Sequence, residues 1–170
     1  FAARVRITPH RLLRLTERSS ELPLGSESRS PSSSGISGQE KPTIVFSGAT
    51  GFNKGIEHFT ALIAALGDRF QWVTLGIEDY YKDNPLVSHI DFNFHTSTSL
   101  LETLQNLKPA VAFLGSVVPE TFSFTLHEML EAGIPVLTTK ESGNIAATVK
   151  ETGAGLVFDS HAEMQASLRS

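Results

Sequence analysis

From residue 43 onward, short apolar blocks alternate with stretches of helical periodicity. Thr43–Ser47 is a β-branched and aromatic run closed by Gly48, the pattern of a buried strand. Lys54–Leu66 sets Ile56, Phe59, Ile63 and Leu66 on one face of a helix. Gln71–Leu75, Ile90–Phe94, Val111–Leu114, Pro135–Thr138 and Leu156–Phe158 read as five further strands. Between them, Ser97 is placed to cap a helix with Leu100, Leu101, Leu104 and Leu107 inward, ended by Pro109. Thr121–Ala132 reads as a helix stopped by Gly133, Ser142–Glu151 as another, and the stretch from His161 as a last one. Near the start, Arg4–Thr8 alternates as a short strand would.

Strand and helix thus alternate about six times. Parallel strands need crossover connections, so the expected class is α/β with a doubly wound, Rossmann-like parallel sheet. The strands lack clean polar alternation, as expected when both faces are covered. Ligands of such sheets bind beyond the carboxyl ends of the strands, where strand order reverses. That places the expected chemistry in three loops: 47–55, 76–84 and 115–122.

Composition changes this picture only at the amino-terminal end. From Ser19 to Ser37, nine of nineteen residues are serine, the texture of a linker or surface loop. The expected organisation is an opening strand and connection over residues 1–18, a Ser-rich linker over 19–42, and the Rossmann-like domain over 43–170. Residues 1–42 carry 7 basic and 4 acidic groups, and residues 43–170 carry 7 and 14, which gives the whole chain a net charge of −4. That balance disfavours a nucleic-acid partner. No cysteine is present, so a disulfide scaffold, a thiolate metal site and a Cys nucleophile are excluded. The six histidines are scattered without metal-ligand spacing, and no metal is expected. No apolar run approaches the roughly 18 residues of a membrane span. Because the chain begins at Phe1, it is expected to be a fragment of a longer protein.

The first loop reads Gly48-Ala-Thr-Gly51-Phe-Asn-Lys54-Gly55. Its glycines let backbone approach a ligand, and the following helix start offers free N–H groups to a phosphate. One reading is a phosphate loop with Lys54 as counter-charge. The other is a dinucleotide fingerprint of a short-chain dehydrogenase, with Glu78 on the ribose. Against the second, Gly55 is one position late, and Asn84 and Pro85 stand where a Tyr-x-x-x-Lys pair would need lysine. The third loop carries Pro119-Glu120-Thr-Phe122-Ser-Phe-Thr-Leu-His-Glu128. On the expected helix, Glu120 stands just before the first turn and Glu128 about two turns inside, roughly 12 Å along the axis. Two such carboxylates can grip an elongated polyhydroxyl ligand, with N–H groups near Phe124 and Thr125 taking a diphosphate. Equally, they can be a helix-start charge and a solvated face.

Residues 43–168 resemble the C-terminal, nucleotide-sugar-binding domain of a GT-B glycosyltransferase of the retaining family 4 (glycosyl transferases group 1). The residues that carry the resemblance are Pro119-Glu120-Thr-Phe122, then Glu128-Met-Leu-Glu-Ala132-Gly133-Ile-Pro135-Val136. Asn53-Lys54-Gly55, Ser142-Gly143-Asn144 and Gly153-Ala-Gly155-Leu156-Val157 follow the family's order, and Val5 to His10 is similar to its opening strand and Pro-His. The resemblance implies a sugar transferred with retention from a nucleotide-sugar to a glycan or lipid acceptor, without a cofactor or an obligatory metal. Glu120 would act at the donor sugar as the catalytic carboxylate, Lys54 and Gly51 at the diphosphate, and backbone N–H groups of Phe124 and Thr125 beside them. Glu128 would hold the ribose, and the loop with His95 would cradle the base. It implies a cytoplasmic protein, associating with the inner face of the membrane through an absent N-terminal domain that carries the acceptor site; the fragment alone would be inactive.

Three departures from the family phrase stand out. No arginine accompanies Lys54 in the first loop, Ser123 replaces a glycine, and Ala147 or Thr148 stands where a glutamate is usual. They motivate a non-catalytic carbohydrate- or protein-interaction module as a further alternative.

Overall fold

The computed structural model describes residues 41–48, 51–76, 79–92 and 99–169. The strand at Arg4–Thr8, the connection to residue 18 and the Ser-rich stretch to residue 40 lie outside the described residues, as do Glu78 and His95.

Six strands form one parallel sheet. They are β1 (Thr43–Ser47), β2 (Gln71–Gly76), β3 (Val87–Asp91), β4 (Val111–Phe113), β5 (Val136–Thr139) and β6 (Gly155–Phe158). The spatial order is β3-β2-β1-β4-β5-β6, the doubly wound Rossmann-like arrangement with β1 central. The helices are α1 (Ile56–Leu66), α2 (Leu100–Leu107), α3 (Phe124–Glu131), α4 (Asn144–Thr152) and α5 (His161–Arg169).

Period-two alternation divides the central strands between two cores. Ile44 and Phe46 of β1, with Val111 and Phe113 of β4, join α1 and α5 on one face. Val45, Ala112 and Leu114 point the other way, into the core beneath α2, α3 and α4. The first core is aromatic at its centre. The Phe59 ring packs 5.2 Å from Phe46, 5.5 Å from Phe113 and edge-on at 5.5 Å to Trp72. The Trp72 indole N–H donates to the Gly67 carbonyl, so its one polar atom is satisfied.

Several boundaries differ from expectation. The third strand starts earlier, at Val87, and ends at Asp91. Ser99 caps α2 by accepting from the Glu102 N–H, while Ser97 lies outside the described residues. Lys54 and Ser142 each close a short 3₁₀ turn rather than open the following helix. Strand and helix also fail to alternate throughout. Between β2 and β3 the described chain makes turns, with the Asp79 and Asn84 side chains accepting from backbone N–H groups two residues on. Tyr81 substitutes for the missing helix. It is buried against α1, its hydroxyl 2.7 Å from Thr60 Oγ1 and donating to the Ile56 carbonyl. Burial also raises its pKa. Within the stretch 79–83, Tyr81 is thus buried while its neighbours are exposed.

Candidate functional site

β1 and β4 are neighbours in the sheet but feed helices on opposite faces, so their carboxyl ends diverge and leave a crevice. A cleft of about 400 Å³, open to solvent, lies there. Ser47, Gly48 and Lys54 line it from the first loop, Gly115, Ser116 and Glu120 from the third, and Ser123 and Thr125 from the start of α3. Among the described residues, none of the second loop, after β2, lines it.

Close backbone packing brings the two loops together. Gly55 has φ +83°, and a Cβ there would stand 2.0 Å from the Gly115 carbonyl oxygen. The Val117 N–H donates to the Asn53 carbonyl at 3.1 Å. These contacts seat Lys54 opposite Glu120, and its ammonium meets Glu120 Oε1 at 2.5 Å. The carboxylate is the better fixed partner. Its backbone is held at both ends, N–H to the Ser142 carbonyl at 3.2 Å and carbonyl from the Asn144 N–H at 2.9 Å, in a parallel bridge to Gly143. Gly143 has no room for a side chain, since a Cβ would lie 2.9 Å from Pro119 Cα. The buried Ser116 hydroxyl also reaches Glu120 Oε1, at 3.2 Å.

Ser123 rather than Glu120 or Thr121 starts the helix. Its Oγ accepts from the Leu126 N–H and fills the N-cap role. The N–H groups of Phe124 and Thr125 precede the first intrahelical bond and so lack helical acceptors. Chemically, the cleft gathers one cation, one carboxylate, hydroxyls and a helix N-terminus, a set suited to an anion joined to a hydroxyl-bearing group.

The sequence profile of the glycosyl transferases group 1 family matches residues 32–169. The chain belongs to that family. Among solved structures, it is similar to AviGT4, a glycosyltransferase involved in avilamycin A biosynthesis, with 19% identity over 77% of this chain and 43% of that one, at a TM-score of 0.53. The kitacinnamycin glycotransferase is 18% identical over 86% of this chain and 38% of that one, at a TM-score of 0.49. The chain thus spans less than half the length of either. No curated protein matches it. The α/β fold expected of one half of a GT-B glycosyltransferase is the fold observed.

In this member of the glycosyl transferases group 1 family, Lys54, Glu120 and Thr125 share the cleft. The side chains of Phe124 and Glu128 are not among its lining, nor is Gly51. Gly51 has an extended backbone, φ −77°, and precedes the 3₁₀ turn that carries Lys54. The Phe124 ring is 79% exposed and packs edge-on against Phe122, leaving only its backbone near the cleft. Glu128 sits one turn into α3 rather than two, because Ser123 sets the helix start three residues after Glu120 would have. Burial, with some repulsion from Glu131, raises its pKa. His95 lies outside the described residues. Ser116 was not legible as a site residue, since a serine in a loop carries no spacing signal. The Asn144 N–H and Ser142 carbonyl were equally hidden, because backbone partners of Glu120 leave no mark on side-chain identity. Among the described residues, no three His, Asp or Glu side chains cluster as a metal would need. None of the described helices is long and apolar enough to cross a membrane.

Proposed function

We propose that the chain is the donor-binding half of a retaining glycosyltransferase of family 4, taking a nucleotide-sugar in the cleft between β1 and β4. One observation carries the reading: the Lys54 ammonium, the Glu120 carboxylate and the start of α3 face a single cleft at the switch point of the sheet. Lys54 and the N–H groups of Phe124 and Thr125 take the diphosphate, with Gly51 shaping the approach. Glu120 meets the hydroxyls of the donor sugar at the reacting end. Glu128 holds the ribose and the loop with His95 lies against the base. The acceptor, a glycan or lipid, is held outside this domain, as is any contact with the inner face of a membrane. No cofactor or metal is required, because the cleft itself supplies positive charge.

Calorimetric titration with UDP, GDP, ADP and NAD tests the reading. One nucleoside diphosphate binds, and Lys54→Ala weakens it by roughly ten- to a hundredfold, the worth of a charge-assisted phosphate contact. The corresponding free nucleoside is hardly affected. NAD binding in place of the diphosphates would favour a short-chain reductase. Binding of no nucleotide would favour a non-catalytic module.

A further inference from the structure

The ion pair that marks the cleft joins two partners that also face any ligand there. While its ammonium lies 2.5 Å from Glu120, Lys54 gives one of its three N–H donors and much of its positive charge to that carboxylate. The two partners differ in their freedom to move. The Lys54 side chain is 40% exposed on a flexible stem, and that of Glu120 only 15%. Glu120 is further held by its two backbone bonds and by reach of the Ser116 hydroxyl. When an anion draws Lys54 away, the carboxylate stays where it is, facing the cleft and short of its cation. A ligand that brings only phosphate then sets like charge against an under-solvated carboxylate. A ligand whose phosphate carries a polyhydroxyl group offers that carboxylate hydroxyl donors in exchange.

Resting on the reading of the cleft as a donor site, we infer that Glu120 is a specificity-determining residue that disfavours the free nucleoside diphosphate relative to its sugar ester. The penalty falls more heavily on the by-product, whose terminal phosphate brings an extra negative charge and no sugar hydroxyls, than on the donor. Selectivity here comes from an unpaired charge in the wrong complex as much as from contacts in the right one.

The test measures dissociation constants of UDP, GDP and ADP, and of UDP-glucose, GDP-mannose and ADP-glucose, for the protein and its Glu120→Gln variant. Glutamine keeps the volume and a hydrogen-bonding oxygen but neither pairs Lys54 nor repels phosphate. The free diphosphate that binds is expected to tighten on the order of tenfold. Its sugar ester holds within a few-fold, so the ratio between ester and free diphosphate collapses. Glu120→Asp, which withdraws the carboxylate by one methylene, moves the free diphosphate in the same direction by less and serves if the glutamine variant does not fold. If the protein binds a sugar ester but Glu120→Gln holds the free diphosphate no more tightly, the selectivity role is overturned and the donor site stands. If the protein binds none of the six, the donor site fails and this inference with it.

Discussion

Ser116 has one hydroxyl proton and three oxygens within reach: the Val118 carbonyl at 2.8 Å, the Asn53 carbonyl at 3.0 Å and Glu120 Oε1 at 3.2 Å. Only one can receive the proton at a time, and the nearest is the Val118 carbonyl. The residue therefore ties the third loop to itself while remaining available to the first loop and to the carboxylate. It is buried, and removing its oxygen takes the hydroxyl donor from the Val118 carbonyl, while the Asn53 carbonyl keeps the Val117 N–H. Ser116→Ala is expected to cost about 1–3 kcal/mol of stability, read as a lowered urea midpoint with unchanged slope. An unchanged midpoint would mean that the loop holds its shape without the hydroxyl. Thr138 shows the same economy one strand away, its hydroxyl donating to the Leu114 carbonyl at 2.6 Å and lying 2.8 Å from Ser142 Oγ. Short polar side chains thus fix both loops that frame the cleft.

At the scale of elements, the junction of β1 with α1 depends on Gly55. Its positive φ disfavours any side chain, and the Gly115 carbonyl fills the space that a Cβ would need. The obstacle is backbone, which cannot rotate aside. Gly55→Ala is expected to lose more than about 2 kcal/mol, measured by denaturant unfolding. Gly153 separates the two causes. It has φ +66° but nothing within 4 Å of a Cβ, so Gly153→Ala carries backbone strain alone and costs about 1 kcal/mol. Equal losses at both sites would show that the close approach at Gly55 is unimportant. The glycine-rich loop was visible in the sequence for this reason: only glycine satisfies such an approach. The apolar faces were visible as well, and Ile56, Phe59, Ile63 and Leu66 are all buried as their spacing required. What the residues concealed was where backbone competes with periodicity. Residues 121–123 have no local feature that forbids helix, yet Glu120 is bonded to the 142–144 turn and Ser123 caps from outside. The loop after β2 was legible, but the burial of Tyr81 within it was not, because a single buried tyrosine leaves no periodic trace.

Across the whole molecule, the face of the sheet that carries α1 is closed by α5, and the two helices meet through a pair of histidines. His58 of α1 and His161 at the start of α5 stack with ring centroids 3.4 Å apart and planes 11° from parallel, and Phe113 of β4 lies 6.1 Å from the His161 ring. Neither His161 ring nitrogen has a hydrogen-bond partner among the described residues. A proton on that ring would be buried, beside another imidazole and at the positive end of a helix. Burial first, and His58 second, lower its pKa to about 4. An unfolded chain binds that proton near pH 6.5. Between these values the unfolded state takes up a proton that the folded state refuses, so stability is complete above about pH 6.5 and falls as the pH drops toward 4. From pH 7.5 to pH 5, His161 contributes a loss of at most about 2 kcal/mol. Carboxylates titrate near the lower end of this range too, so the measurement must be differential. Thermal or urea unfolding of the protein and of His161→Phe, each at pH 7.5 and pH 5, isolates the histidine. The variant keeps an aromatic ring against His58 and Phe113 but cannot take the proton, so its decline between the two pH values is expected to be the shallower. Parallel declines would mean that the α1–α5 contact accommodates the imidazolium, through water or by parting of the rings.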